Sequence, residues 1–516
     1  MPTARIFTQA RYSITQSASD IDSSFELPKA VRMTLQSIMD EVRNLPGTGE
    51  VIAVIDPATE EQITEFTDGG AKAVEEAVSR ARESFEAGVW HGLPGSERAK
   101  ILWRAADLID EHATEIAQLD SINTGMPFVQ AHSIVGTSAE FFRYYGGWCT
   151  KVNGIAHDVH MTGGITGAHS NMHGYTLKEP VGVVGLIFPW NGPIFNACAK
   201  LAPALAAGCS VIVKPAEETP LSALLLVKLL AQAGVPDGVV NLVNGYGHTA
   251  GAALSEHPDV DKIAFTGSTE VGKKIVQVAS GNLKKVMLEL GGKSPVLIYD
   301  DADLNTAILS AAMGIFVHSG QGCISGSRIF VQRGVYDQVV EGIAAIANSL
   351  KLGGPKDEGV HIGPLISQKQ LTRVMGFVEE GKRDGVEVVA GGSRIDRPGY
   401  FVHPTVLTDV RPDMRLYQQE IFGPVVPIMP FDDDDQVVAM ANDTTYGLAA
   451  TAWTSDVGRA HRLAKRLDAG TVTLNCQMVF DHAMPFGGYK QSGWGYEHGR
   501  EGIEGYMKTK SVYTQI

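Results

Sequence analysis

One cysteine stands in an aperiodic bend with the composition of a reactive loop. Between Phe316 and Arg328, Cys323 is surrounded by Gly320, Gln321, Gly322, Ser325, Gly326 and Ser327. Glycine neighbours let backbone approach a ligand closely. A thiolate is a strong nucleophile even as a minor fraction of the thiol; without such a role, a lone cysteine is a small buried hydrophobe. Glu289 stands in an apolar run, Leu288-Glu289-Leu290, ahead of Gly291, Gly292 and Lys293. A carboxylate there is costly to bury unless paired. Desolvation raises its pKa and suits it to general-base work; an ion pair with Lys293 or Arg328 is the alternative. Asn191 ends the run Phe188-Pro189-Trp190-Asn191. Its side-chain N–H is a donor for a developing oxyanion, and losing one such donor costs about 3–4 kcal/mol of transition-state stabilisation.

Other patterns point to a nucleotide. Lys214 and Glu217 follow an apolar run and suit ribose hydroxyls. Gln419-Glu420-Ile421-Phe422 adds a carboxylate and a ring. Gly245-Tyr246-Gly247-His248-Thr249-Ala250 fits a dinucleotide fingerprint but follows the third strand of its unit, so it reads as a turn beside a nucleotide. Gly267 to Lys273 nearly matches a P-loop, but Lys274 stands where Ser or Thr would bind magnesium. Gly267-Ser268-Thr269 still opens a helix, whose N-terminus attracts phosphate. His157, His160, His169 and His173 fall in a Gly-rich stretch and read as solvated loop histidines, so no metal is expected. The run Asp432–Asp435 reads as a solvated loop.

The elements that must position these groups alternate. Strands are expected near 181–188, 210–213, 239–243, 262–265 and 285–290, with helices near 193–207, 220–233, 249–256 and 269–279. Five strands with four helices between them imply right-handed crossovers and a parallel doubly wound sheet, which binds ligands at its strands' carboxyl ends. The first third reads helical: residues 71–87, then a face of Ile101, Leu102, Ala105, Leu108 and Ile109 with Ser96 as N-cap.

The 516 residues carry 43 basic and 58 acidic side chains, a net charge of −15 that disfavours nucleic acid as a partner. Hydrophobic residues at 44% can bury a large core and exclude global disorder. Five cysteines cannot make a disulfide framework and point to a reducing compartment. Val181–Ala199 is uncharged, but Pro189, Asn191 and Pro193 interrupt it, so it is not read as a membrane helix. The first 20 residues lack an apolar core and hold Arg5 and Arg11 with no acid before Asp20. They read as a frayed polar N-terminus, with a transit peptide as the weaker alternative. The expected location is cytoplasmic, with mitochondrial as that alternative.

The segments IDPATEEQI, FPWN, KPAEETP, FTGSTEVG, LELGGKSP, GQGC, EIFGPV and PFGGYKQSG, in that order, resemble the NAD(P)-dependent aldehyde dehydrogenase superfamily over nearly the whole chain. KEPVGVV and MPFGGYKQSGWG are similar to bacterial phenylacetaldehyde dehydrogenases. The resemblance implies an α/β fold. A Rossmann-like five-stranded parallel cofactor domain would span 1–146 and 178–289, an α/β catalytic domain 290–491, and a small antiparallel oligomerisation arm 147–177 and 492–516. It implies a homodimer or homotetramer, with a small-molecule aldehyde as the other partner and neither nucleic acid nor membrane. It implies Cys323 as nucleophile, Asn191 with the Cys323 backbone N–H as oxyanion hole, Glu289 as the base that activates water, and Lys200 with Glu497 as a proton-relay pair. NAD would be held by Phe188, Trp190, Lys214, Glu217, Gly247, Gly251, Thr266, Gly267, Ser268, Glu420 and Phe422. Glu217 favours NAD over NADP, which stays possible. The aldehyde pocket would include Gly192, Phe195, Asn196, Ala199, Val317, Ile324, Met478, Val479, Phe480 and Phe486. It holds no Arg or Lys, and small Gly192 and Ala199 suggest a wide tunnel for a bulky aromatic or long-chain aldehyde. Tyr496 departs from the Arg of many members. Competing readings are a thiol acyl-hydrolase, a CoA-acylating dehydrogenase and a catalytically idle relative.

Overall fold

Five strands, three of them almost wholly buried, run parallel through the N-terminal half. The computed structural model describes residues 34–161 and 170–515. The strands are Val183–Phe188, Ser210–Pro215, Val240–Leu242, Lys262–Thr266 and Lys285–Glu289. Their spatial order is Lys285–Glu289, Lys262–Thr266, Val183–Phe188, Ser210–Pro215, Val240–Leu242, with every neighbouring pair parallel. Both faces are covered, so the strands read as continuous Val/Ile/Leu runs instead of alternating. The register pairs Phe188 with Pro215 and Thr266 with Glu289, so the carboxyl ends of these strands form one edge. A sixth strand, Gly493–Trp494, pairs antiparallel with Lys285–Glu289, so the expected five-stranded sheet gains a short member. Two residues carry no periodicity from which a strand is read.

The intervening helices start and stop on local signals. Pro193–Ala207 has proline in its first turn and ends at Gly208 with φ 100°. Leu221–Ala233 ends at Gly234 with φ 107°. Thr269–Ala279 starts at Ser268, whose hydroxyl accepts from the Val271 N–H at 3.3 Å. The helix expected over 249–256 begins as a π-turn, Gly247–Gly251, and becomes α-helical only over Ala252–Glu256.

A second, seven-stranded sheet is built from Pro295–Ile298, Arg328–Gln332, Glu387–Ala390, Thr405–Thr408, Val425–Phe431, Ala449–Trp453 and Thr471–Leu474. It is parallel except where Glu387–Ala390 meets Thr405–Thr408. A third sheet packs Met507–Gln515 against Ser170–Pro180, and that strand against Ala156–Met161, all antiparallel.

Three expectations are corrected. His157, His160 and His173 are not loop residues but lie on those antiparallel strands, where backbone pairing overrides the Gly-rich composition; His169 lies outside the described residues, as does the polar N-terminus through residue 33. No cluster of candidate metal ligands occurs among the described residues. Ser96 does not cap its helix. Gly95–Glu111 follows Pro94 with no side-chain cap, so Ser96 already lies within the first helical turn. The acidic run is half structured: Asp433 accepts from the Gln436 N–H and caps Asp434–Asn442, while Asp432 takes both forks of Arg333 at 2.6 and 2.9 Å. Acids at a helix N-terminus complement its dipole. All five cysteines are free, and no described helix is long and apolar enough to cross a membrane.

Candidate active site

The carboxyl edge of the parallel sheet gathers the chemistry. The chain leaves Val183–Phe188 through Trp190, Asn191 and Gly192 before entering Pro193–Ala207. The Asn191 amide donates to the Gln321 carbonyl at 2.9 Å, which ties this turn to the cysteine loop. That loop is preset. His318, Ser319 and Gly320 lie consecutively at φ 52°, 56° and 70°, a left-handed backbone that is rare outside glycine. Ser319 Oγ donates to the Gly363 carbonyl at 2.6 Å, and Gln321 Oε1 accepts from the Ile366 N–H at 2.9 Å. Gly292 backs onto the loop, where a Cβ would stand 2.5 Å from the Cys323 carbonyl oxygen. Cys323 is half-buried. Burial pushes its thiol up to about 12, and the carboxylates of Glu420 and Glu289 add to the rise.

Glu289 ends its strand buried, with neither carboxylate oxygen hydrogen-bonded. The ion pair with Lys293 or Arg328 does not form. Lys293 Nζ has no partner, and Arg328 donates to the carbonyls of Lys293, Met440 and Ala441. Burial raises the Glu289 carboxyl well above its ordinary range, the Glu497 charge raises it further, and Lys200 opposes both. Lys200, fully buried, forms an ion pair with Glu497 and donates to Thr266 Oγ1 at 2.7 Å. Glu497 is held from its backbone: it exchanges two 2.7 Å hydrogen bonds with Phe486. Tyr496 is exposed and leaves that pair intact.

A second group of the expected residues lies along the same edge. Lys214 is buried, donates to the Pro215 carbonyl at 2.7 Å and stands 3.8 Å from Glu217. Burial lowers the Lys214 ammonium's pKa, and Glu217 opposes. Gly247 faces open space, and a Cβ on Gly251 would meet the Lys214 stem first, at an ordinary 3.6 Å. Ser268 is exposed at its helix N-terminus, and Gly267 N–H donates to the Glu289 carbonyl at 3.0 Å. Trp190 and Phe422 meet edge-on at 5.4 Å, with Phe422 at φ 59°. Glu420 accepts from the Gly292 N–H at 3.0 Å; burial raises its carboxyl to about 7 against that bond and Lys293. A Cβ on Gly291 would stand 2.5 Å from Glu420. Phe188 is core, and Thr266 is engaged by Lys200. An ammonium and a carboxylate beside open glycine backbone, an exposed helix N-terminus and a second carboxylate near the thiol together fit a dinucleotide.

The expected pocket residues separate into three groups. Phe195, Phe480 and Phe486 are half-buried; Phe195 and Phe480 meet edge-on at 5.1 Å. A Cβ on Gly192 would touch only Asn196 and Phe195, while the Asn196 amide donates to the Gly192 carbonyl at 2.9 Å. Val317 and Ile324 are half-buried on either side of the cysteine loop, and Met478 and Val479 are exposed. Ala199 is corrected: it packs in the hydrophobic core, in a helix buried everywhere but at Phe195 and Asn196, and forms no open wall. Two side chains missed in the sequence join this group. Phe141 lies 5.2 Å from Phe195, and the His498 ring stacks on Phe486 at 5.4 Å. His498 sits at φ 57°, ψ 175°, a nearly glycine-only conformation that costs about 1–3 kcal/mol. Its one sequence signal is its place next to Glu497.

A family model described as "Aldehyde dehydrogenase family" matches residues 45–512. The putative aldehyde dehydrogenase DhaS of Bacillus subtilis is 45% identical over 470 residues, covering 91% of this chain and 93% of that one. A mitochondrial benzaldehyde dehydrogenase of Antirrhinum majus is 43% identical over 471 residues, covering 91% and 86%. The solved NAD+ complex of an aldehyde dehydrogenase from Bacillus cereus superimposes with a TM-score of 0.88 at 42% identity, over 92% of this chain and 98% of that one. The chain belongs to the aldehyde dehydrogenase family, enzymes that oxidise aldehydes to acids.

Proposed function

We propose that this enzyme oxidises a bulky apolar aldehyde, aromatic or long-chain, to its carboxylic acid with NAD, through covalent attachment to Cys323. The observation that carries the reading is the convergence of Cys323, the Asn191 amide and an unpaired buried Glu289 at one sheet edge. The Cys323 thiol gives its proton to solvent, and the sulfur adds to the aldehyde carbon. The carbonyl oxygen becomes an alkoxide that accepts from Asn191 and the Cys323 N–H. Bound NAD would supply the acceptor for the hydride lost from that carbon. The oxygen's electron pair then re-forms C=O, which leaves a thioester on Cys323. Glu289 takes a proton from water as its oxygen attacks; the C–S bond breaks, and the acid and the thiolate separate. Splitting one hard step into two easier ones is the gain of covalent attachment. Glu497 and Lys200, whose charges act on the Glu289 carboxyl, are the groups that would take its proton onward.

Lys214 and Glu217 would hold the adenosine ribose, and the Glu217 carboxylate would repel a 2′-phosphate. Trp190, Gly247, Gly251, Gly267 and Ser268 would lie along the pyrophosphate, with Glu420 and Phe422 at the nicotinamide ribose. The domain limits above belong to this reading, save that Gly493–Trp494 joins the cofactor sheet, with the three-stranded antiparallel sheet as the assembly surface of a cytoplasmic dimer or tetramer; exposed edge strands favour a partner. Assay of an aldehyde panel with NAD and NADP tests it. Acid formation matched by NADH, with higher kcat/KM for phenylacetaldehyde than for acetaldehyde, is expected. Acid without NADH, a preference for acetaldehyde, or equal use of NADP would each overturn the corresponding part.

A further inference from the structure

The reaction scheme leaves one buried polar group beside the relay without a role. His498 follows Glu497 and is 3% exposed. Its Nε2 is sealed from solvent and has no hydrogen-bond partner. The surrounding chain fixes it there. Glu497 is locked to Phe486 on one side, and on the other the His498 carbonyl accepts from Gly502 N–H at 2.8 Å. The imidazole is clasped by rings: Phe141 at 5.0 Å, Phe480 at 5.2 Å, Phe486 at 5.4 Å and Phe195 at 6.3 Å. Phe195, Phe480 and Phe486 are also among the residues expected to line the aldehyde pocket. An apolar wall alone has no use for an imidazole, because leucine would fill the place without burying an unpaired nitrogen. Burial pulls the ring's pKa down to about 4, with His482 and Lys200 acting in the same direction and Glu497 against them. The ring therefore stays neutral where such enzymes work, with one nitrogen donating and the other accepting.

We infer that His498 is a specificity-determining residue that reads a ring hydroxyl on an aryl aldehyde. The phenylalanines take the ring by edge and face contact, and Nε2 takes the hydroxyl. A hydroxyl both donates and accepts, so it satisfies Nε2 in either tautomer. The inference rests on the reading that this wall serves an aldehyde.

The test compares kcat/KM with NAD for 4-hydroxyphenylacetaldehyde and phenylacetaldehyde, in the unmodified enzyme, His498→Leu and His498→Gln. The unmodified enzyme should favour the hydroxylated substrate by about tenfold, the worth of one recovered hydrogen bond. His498→Leu should bring the ratio of the two kcat/KM values to about one, and His498→Gln should keep part of the preference. A ratio of one or below in the unmodified enzyme, or a ratio that His498→Leu leaves unchanged, overturns the inference. Failure to oxidise either substrate would sink the underlying reading as well; turnover of both without preference sinks only the role of His498. If His498→Leu does not fold, the unmodified enzyme and His498→Gln decide.

Discussion

Removing Lys200 and Glu497 one at a time should move the acid limb of deacylation in opposite directions. Glu289 accepts a proton only when ionised, so the rate falls as pH drops through its pKa. That pKa stands high because of burial first and the Glu497 charge second, with Lys200 opposing. Glu497→Gln removes the repelling charge, favours the carboxylate and moves the limb to lower pH. Lys200→Met removes the attracting charge and moves it to higher pH. A single neighbouring charge is worth roughly one to three pH units. The pair's side chains are 0% and 8% exposed, so either single change leaves an uncompensated buried charge at a cost of about 3–5 kcal/mol, while the double change should be much milder. The assay loads Cys323 from an activated ester, follows hydrolysis of the acyl-enzyme against pH, and measures stability of all four forms by urea unfolding. Limbs that move the same way, or a double variant as unstable as the two singles summed, would refute the reasoning.

Glu289→Gln should slow thioester hydrolysis by about 10²–10⁴ while leaving hydride loss largely intact, so stopped-flow should record a stoichiometric burst of NADH and then slow turnover; unchanged steady-state activity would contradict the role. With its thiol near 12, Cys323 in the cofactor-free enzyme should alkylate with iodoacetamide far more slowly than a free thiol, and bound NAD+, with its positive ring, should accelerate it. Fast alkylation at neutral pH without NAD would show that the thiol is not held protonated.

The elements around the site were legible where local signals are strong. Pro193 and Gly208 bracket one helix, and Ser268 starts another, because proline, glycine and serine act on the backbone within one turn. The strand ends carrying Asn191, Lys214 and Glu289 followed from alternation of apolar runs with helices. Features set by distant contacts were not legible from residues. Lys200 and Glu497 are 297 positions apart, and only the family resemblance joined them. The strand holding His173 pairs with Met507–Gln515 on one side and with the strand holding His157 on the other, which nothing in the Gly-rich segment announces. Gly493–Trp494 is too short for a period, the helix expected to start at Ser96 already includes it, and Ala199 packs into the core. His498 was missed because its meaning lies in four rings from three other segments of the chain.

The most direct test uses Glu289→Gln, in which the acyl group should persist. The variant is mixed with aldehyde and NAD, quenched in acid within the burst, digested and analysed by mass spectrometry. The account predicts the acyl mass on the peptide containing Cys323, in amounts that match the NADH formed. NADH formed with no acyl group at Cys323 would contradict it.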